Sequence, residues 1–117
     1  MPSAYKVSFL DAIKVRRSTL ALAKSAPISD DRIVLIVNHA IKYAPSAFHV
    51  QSARVLILFG EHHDKLWSFA REETKKAYPP AVFDGLVPKL QGYKDAYATV
   101  CFSLLPFFPV FRYIYEM

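Results

Sequence analysis

Glycine is scarce in this sequence: there are 3, against 8 prolines. No glycine-rich phosphate loop of the nucleotide or dinucleotide type occurs, so a phosphorylated ligand would have to be held without one. Cysteine is nearly absent as well. The single Cys101 excludes an intrachain disulfide framework and fits a reducing compartment. It sits in the apolar stretch from Tyr97 to Phe102, where a packed thiol is the ordinary expectation and a nucleophile the rare one. No apolar run approaches the roughly 20 residues needed to cross a bilayer, so no transmembrane segment is expected. A secretory signal pattern is also missing from the N-terminus. The formal charge is +5, but the 15 basic residues are dispersed. With no base-reading motif or aromatic RNA-stacking strand beside them, no nucleic-acid partner is expected. His49 has no Ser, Cys or carboxylate at a spacing that would make a catalytic pair. His62 and His63 would point about 100° apart on a helix and so could not easily share a metal ion, and no metal site is expected.

What is present is the material of one folded domain. The 117 residues are 53% hydrophobic and 15% aromatic, which argues against disorder. Ser8-Phe9-Leu10-Asp11 is a helix start, with Phe9, Leu10 and Ile13 on one face and an end near Arg16-Arg17. Ser29-Asp30-Asp31 opens a stronger helix, capped by a hydroxyl and carrying two acids in its first turn. Its apolar residues Ile33, Ile36, Val37, Ala40, Ile41 and Ala44, widened by Val34 and Leu35, predict a central core helix closed by Pro45. Arg54 to Phe59, bounded by Gly60, reads as a buried strand, and Ala96 to Phe102 as a second. Between them, Glu61 to Tyr78 is a charged helix that Pro79-Pro80 terminates. Gly85, Pro88 and Gly92 predict only short helical turns and loop over residues 81–94. The expected fold class is α+β, a core helix packed on a small sheet.

Two polar clusters carry the chemistry. Arg16-Arg17-Ser18-Thr19 offers two guanidinium forks and two hydroxyls, a compact way to hold a dianionic phosphate. One helix later, Ala44-Pro45-Ser46-Ala47-Phe48-His49-Val50-Gln51-Ser52 is a small polar loop able to bring backbone amides and a side-chain amide against a flat polar ligand. Their order and separation resemble the flavin-binding half of the nitroreductase family, and most nearly its short fungal branch. Gln51-Ser52-Ala53-Arg54 leading into a strand, Gly60-Glu61-His62 with Leu66-Trp67, and Lys94-Asp95-Ala96-Tyr97 extend the similarity. Where many members have Asn, this chain has His49.

The resemblance implies a nitroreductase-like sandwich and an FMN-dependent oxidoreductase that passes hydride from NAD(P)H to nitro, quinone or similar small acceptors. It implies that Arg16, Arg17 and Ser18 hold the phosphate and ribityl chain, with Lys89 as a lesser candidate. Ser46, Ala47, Phe48, His49 and Gln51 would line the ring, from the neighbouring subunit of a homodimer. A cytoplasmic location, with the nucleus as a second compartment, and a part in the oxidative stress response also follow from it. The resemblance covers residues 1–102. Residues 103–117 read as a divergent aromatic tail, and the chain as a shortened gene product lacking the later half of the family domain. The competing expectation is a non-catalytic interaction module that binds a full-length partner through that tail.

Overall fold

The computed structural model describes residues 7–104, so the expected tail lies outside it apart from Ser103 and Leu104. In chain order the elements are α1 (Phe9–Val15), α2 (Asp30–Tyr43), a 3-10 turn (Ala47–His49), β1 (Ala53–Phe59), α3 (Gly60–Ala77), α4 (Pro80–Lys94) and β2 (Ala98–Leu104). Both early helices begin where the capping residues place them. Ser8 Oγ accepts from the Asp11 amide at 3.2 Å and donates to the Asp11 carboxylate at 2.7 Å, while Ser29 Oγ accepts from the Arg32 amide at 3.4 Å. α2 stops at Ala44, which turns extended ahead of Pro45, because an α conformation there would clash with the proline ring.

β1 and β2 form an antiparallel two-stranded sheet, from Ala53 opposite Leu104 to Phe59 opposite Ala98. The hairpin of α3 and α4 connects them. β1 enters α3 without a linker, and the sharp reversal falls on Gly60 at φ +49°, a left-handed conformation that costs glycine little. Among the described residues the enclosed side chains are Leu58 on β1, Phe83 on α4 and His63 on α3.

Three expectations are corrected. The turns and loop expected over residues 81–94 are one 15-residue helix. Pro80 opens α4, where a proline costs nothing, and the buried Phe83 with half-buried Leu86, Val87 and Leu90 gives it an apolar face against α3. That packing outweighs Pro88, which removes one internal hydrogen bond. Next, α2 is not buried nearly all round. Ile33, Val34, Val37 and Ile41 are half-buried, while Leu35 and Ile36 stay exposed. The helix packs on β1, and a two-stranded sheet can cover only one of its faces. Finally, β2 begins at Ala98 rather than Ala96. Asp95 and Ala96 close α4 through hydrogen bonds to Gln91 and Tyr93, and the Tyr97 hydroxyl donates to Asp30 at the start of α2.

Candidate functional site

α1 ends at Arg16, and the chain that leaves it carries the first polar cluster. Arg16 Nη1 donates to Ser18 Oγ at 3.3 Å, so these two side chains are brought together. Arg17 Nη1 folds back onto the carbonyls of Lys14 and Arg16, at 2.7 and 2.9 Å, giving cations to the orphan acceptors of the helix end. All three residues are exposed.

The second cluster is a tight loop built from unusual backbone. Phe48, His49 and Gln51 lie at φ +52°, +55° and +51°, a region that side-chain-bearing residues rarely occupy. Each such residue costs on the order of 1–3 kcal/mol and persists only where its surroundings fix it. Here the fixing is local. Ser46 acts twice: its carbonyl accepts from the His49 amide at 2.9 Å and its Oγ from the Gln51 amide at 3.2 Å. Arg54 Nη1 bridges the carbonyls of Gln51 and Ala53, at 3.1 and 2.9 Å. The Gln51 side-chain amide meets His49 Nε2 at 2.9 Å. With the Gln51 amide nitrogen Nε2 donating, His49 Nε2 is the acceptor and its ring proton sits on Nδ1.

This loop, the end of α2 and the start of β1 enclose a pocket of about 320 Å³. Ser46, His49 and Gln51 line it; Ala47 does not, and Phe48 points fully into solvent. Arg16, Arg17 and Ser18 are not part of its wall. Sequence reasoning missed Lys42 and Arg54, which add two positive charges to a wall without a carboxylate. Arg54 was visible as the last residue of Gln51-Ser52-Ala53-Arg54, but nothing local shows that its side chain turns back over the loop. Lys89, the lesser candidate, lies on α4 with its ammonium 5.9 Å from the Tyr93 ring centre.

Elsewhere, charge is arranged for structure. Lys24 bonds Asp64 and holds its carboxyl below the usual range, as Lys65 does for Glu61. A hydrogen bond to Asp30 raises the Tyr97 hydroxyl, and burial pushes the Cys101 thiol up. No helix among the described residues is long and apolar enough to cross a membrane, and no three His, Cys, Asp or Glu side chains among them are grouped to hold a metal.

Comparison with known proteins gives a consistent set of likenesses. Residues 13–112 match the sequence model of the nitroreductase family. The Saccharomyces cerevisiae protein HBN1, a nitroreductase by assignment, is 37% identical over 76 residues, covering 63% of this chain and 38% of the yeast protein. Nitroreductase CinD from Lactococcus lactis, solved in complex with chloramphenicol, superposes at TM-score 0.65 with 30% identity, over 81% of this chain and 47% of its own. Its complex with 4-nitrophenol gives 0.64 and 30%, over 81% and 46%. The chain therefore spans less than half the length of the relatives it matches.

Proposed function

The chain belongs to the nitroreductase family, and from that premise we propose that it is the flavin-binding portion of an NAD(P)H-dependent oxidoreductase acting on nitro- or quinone-type acceptors. The observation that carries this reading is the pocket walled by Ser46, His49 and Gln51, built on strained backbone beside two cationic side chains, Lys42 and Arg54. Strain of this kind gathers at ligand sites, where holding polar groups in place before binding reduces the ordering cost. The residues present suit FMN. The wall combines amide, hydroxyl and imidazole groups for a flat heterocycle with cations for an anionic one, and Arg16 and Ser18 are joined where a phosphate could be gripped.

Bound FMN would supply the hydride and electron transfer, chemistry that belongs to the cofactor. The protein's work is to bind and orient. Arg16, Arg17 and Ser18 hold the phosphate and ribityl chain; Ser46 and Arg54 keep the loop in shape; His49 and Gln51 present polar edges to the ring, with Ala47 and Phe48 completing that wall across a homodimer interface. His49 stands where a family Asn would offer an amide. With Nδ1 protonated, its ring offers a donor at Nδ1 in place of that amide's. None of these groups needs to act as a nucleophile or general base, in keeping with the lack of any such pair in the sequence. A reducing cytoplasmic setting suits the single thiol.

The test is direct. Purified protein is expected to be yellow, to take up added FMN, and to lose flavin absorbance on Arg16→Ala. Losing one charge-assisted contact typically costs about 1.5–3 kcal/mol, roughly ten- to a hundred-fold in affinity. A colourless protein that cannot take up FMN overturns the proposal.

A further inference from the structure

The helical hairpin holds a second cavity, of about 350 Å³, that the flavin reading does not use. Its apolar lining is Trp67, Phe83 and Leu90, and three cations, Arg71, Lys75 and Lys94, stand around it against one carboxylate, Glu72. Arg71 and Lys75 are four residues apart on α3, so both rise from the same face of the helix. The pairing along α3 is uneven. Lys65 and Lys76 are matched by Glu61 and Glu73, each at 2.7 Å, whereas Arg71, Glu72 and Lys75 form no ion pair among the described residues. Lys94 reaches across from α4 and donates to Ser68 Oγ at 2.9 Å, which fixes its ammonium at the end of the groove. The α3 charges that do not line the groove are thus paired, and those that line it form no ion pair among the described residues.

We propose that the groove between α3 and α4 binds a small amphiphilic anion, its ring or branched apolar body against Trp67, Phe83 and Leu90 and its oxyanion head between Arg71, Lys75 and Lys94. The apolar lining alone would accept any small hydrophobe, and the cations alone any anion. Their placement in one cavity selects molecules that carry both features. A guanidinium and two ammonium groups beside an apolar wall gain strength because the wall excludes water from one side of the contact.

The protein contains one tryptophan, and it lines the groove, so a ¹⁵N-labelled sample gives a single indole N–H resonance to follow. Naphthalene-2-sulfonate is expected to shift that resonance saturably. Naphthalene-2-methanol, which lacks the charge, and inorganic sulfate, which lacks the ring, should each bind at least ten-fold more weakly. Arg71→Gln combined with Lys75→Gln should weaken the sulfonate at least ten-fold, in line with the worth of a charge-assisted contact. Both positions are exposed, so the fold should survive; Arg71→Lys with Lys75→Arg should restore most of the affinity. No saturable shift with the sulfonate, equal affinity for sulfonate and alcohol, or an unchanged affinity in the double Gln variant would each overturn the proposal. The result is separable from flavin retention. A colourless protein that still binds the sulfonate upholds this site and removes only the cofactor reading.

Discussion

His63 is fully enclosed, and with a neutral imidazole its three-link hydrogen-bond chain has one consistent direction. The Lys94 carbonyl, 3.0 Å from Nε2, can only accept, so Nε2 carries the proton. The Trp67 indole can only donate, so Thr99 Oγ1 accepts it at 2.9 Å and directs its own proton to His63 Nδ1 at 2.8 Å. One threonine therefore serves two rings, the buried His63 and the half-buried Trp67, and ties α3 to β2. Thr99→Val keeps the shape and removes both bonds; leaving such groups unpaired typically costs about 1–3 kcal/mol, to be read from urea unfolding, while Thr99→Ser should lose much less. None of this was legible in the sequence. His63 lies in a charged stretch beside another histidine, and its partner Thr99 is 36 residues away. By contrast, the half-buried place of Cys101 in an apolar strand was legible from its neighbours. Burial raises its thiol above the ordinary value, so less thiolate is present at neutral pH. Alkylation should accordingly be slower than for an exposed thiol, quicken as pH rises, and reach the free-thiol rate in denaturant. The linkage has the matching sign. A raised thiol favours the folded state below the unfolded thiol's value, and that contribution is lost as pH climbs through the folded one.

At the scale of elements, capping chemistry was the part of the sequence that translated most directly. Ser8 and Ser29 start α1 and α2 because a hydroxyl satisfying an orphan amide is a contact made within three residues. α4 was hidden because its breakers are local and its support is not: Gly85, Pro88 and Gly92 argue against a helix, and the α3 face that holds it is invisible to a reading of residues 81–94. Two glycines test this distinction in opposite directions. Gly85 lies within α4, and a Cβ there meets nothing within 4 Å. Gly85→Ala should therefore stabilise the protein by about 0.5–1 kcal/mol by removing freedom from the unfolded chain. Gly60 also has open space around it, but its φ is +49°. Gly60→Ala should destabilise by about 1–2 kcal/mol, since the strain is in the backbone and not in any clash. Equal effects of the two substitutions on the thermal midpoint would show that the reversal from β1 into α3 is not held at Gly60.

For the whole molecule, the apolar surface left open is the property that most affects behaviour in solution. Phe9, Leu10 and Ile13 of α1 are 78%, 66% and 55% exposed, and Phe102 on β2 is 66% exposed. The sequence shows Phe9, Leu10 and Ile13 as one apolar stripe of α1. No reading of periodicity could show that nothing among the described elements covers it, because coverage depends on residues far away or outside the chain. In the relatives more than half of the polypeptide lies beyond the part that superposes here, so surfaces of this kind have additional chain available to meet them. A sheet of two strands, each with one unpaired edge among the described residues, adds hydrogen-bonding groups to the same demand. Exposed apolar surface of this sort drives association, at about 25 cal/mol per Å² removed from water. The 117-residue polypeptide on its own is therefore expected to self-associate as concentration rises, seen as increasing mass in sedimentation velocity. Phe9→Glu with Ile13→Lys should move that equilibrium toward monomer and leave far-UV circular dichroism unchanged, since neither side chain is buried. If flavin is held across an interface between copies, the same double substitution should also weaken FMN retention without touching Arg16, Ser46 or Gln51. A monomer at every concentration, unfolding in one cooperative step, would mean that these exposed side chains carry no interface.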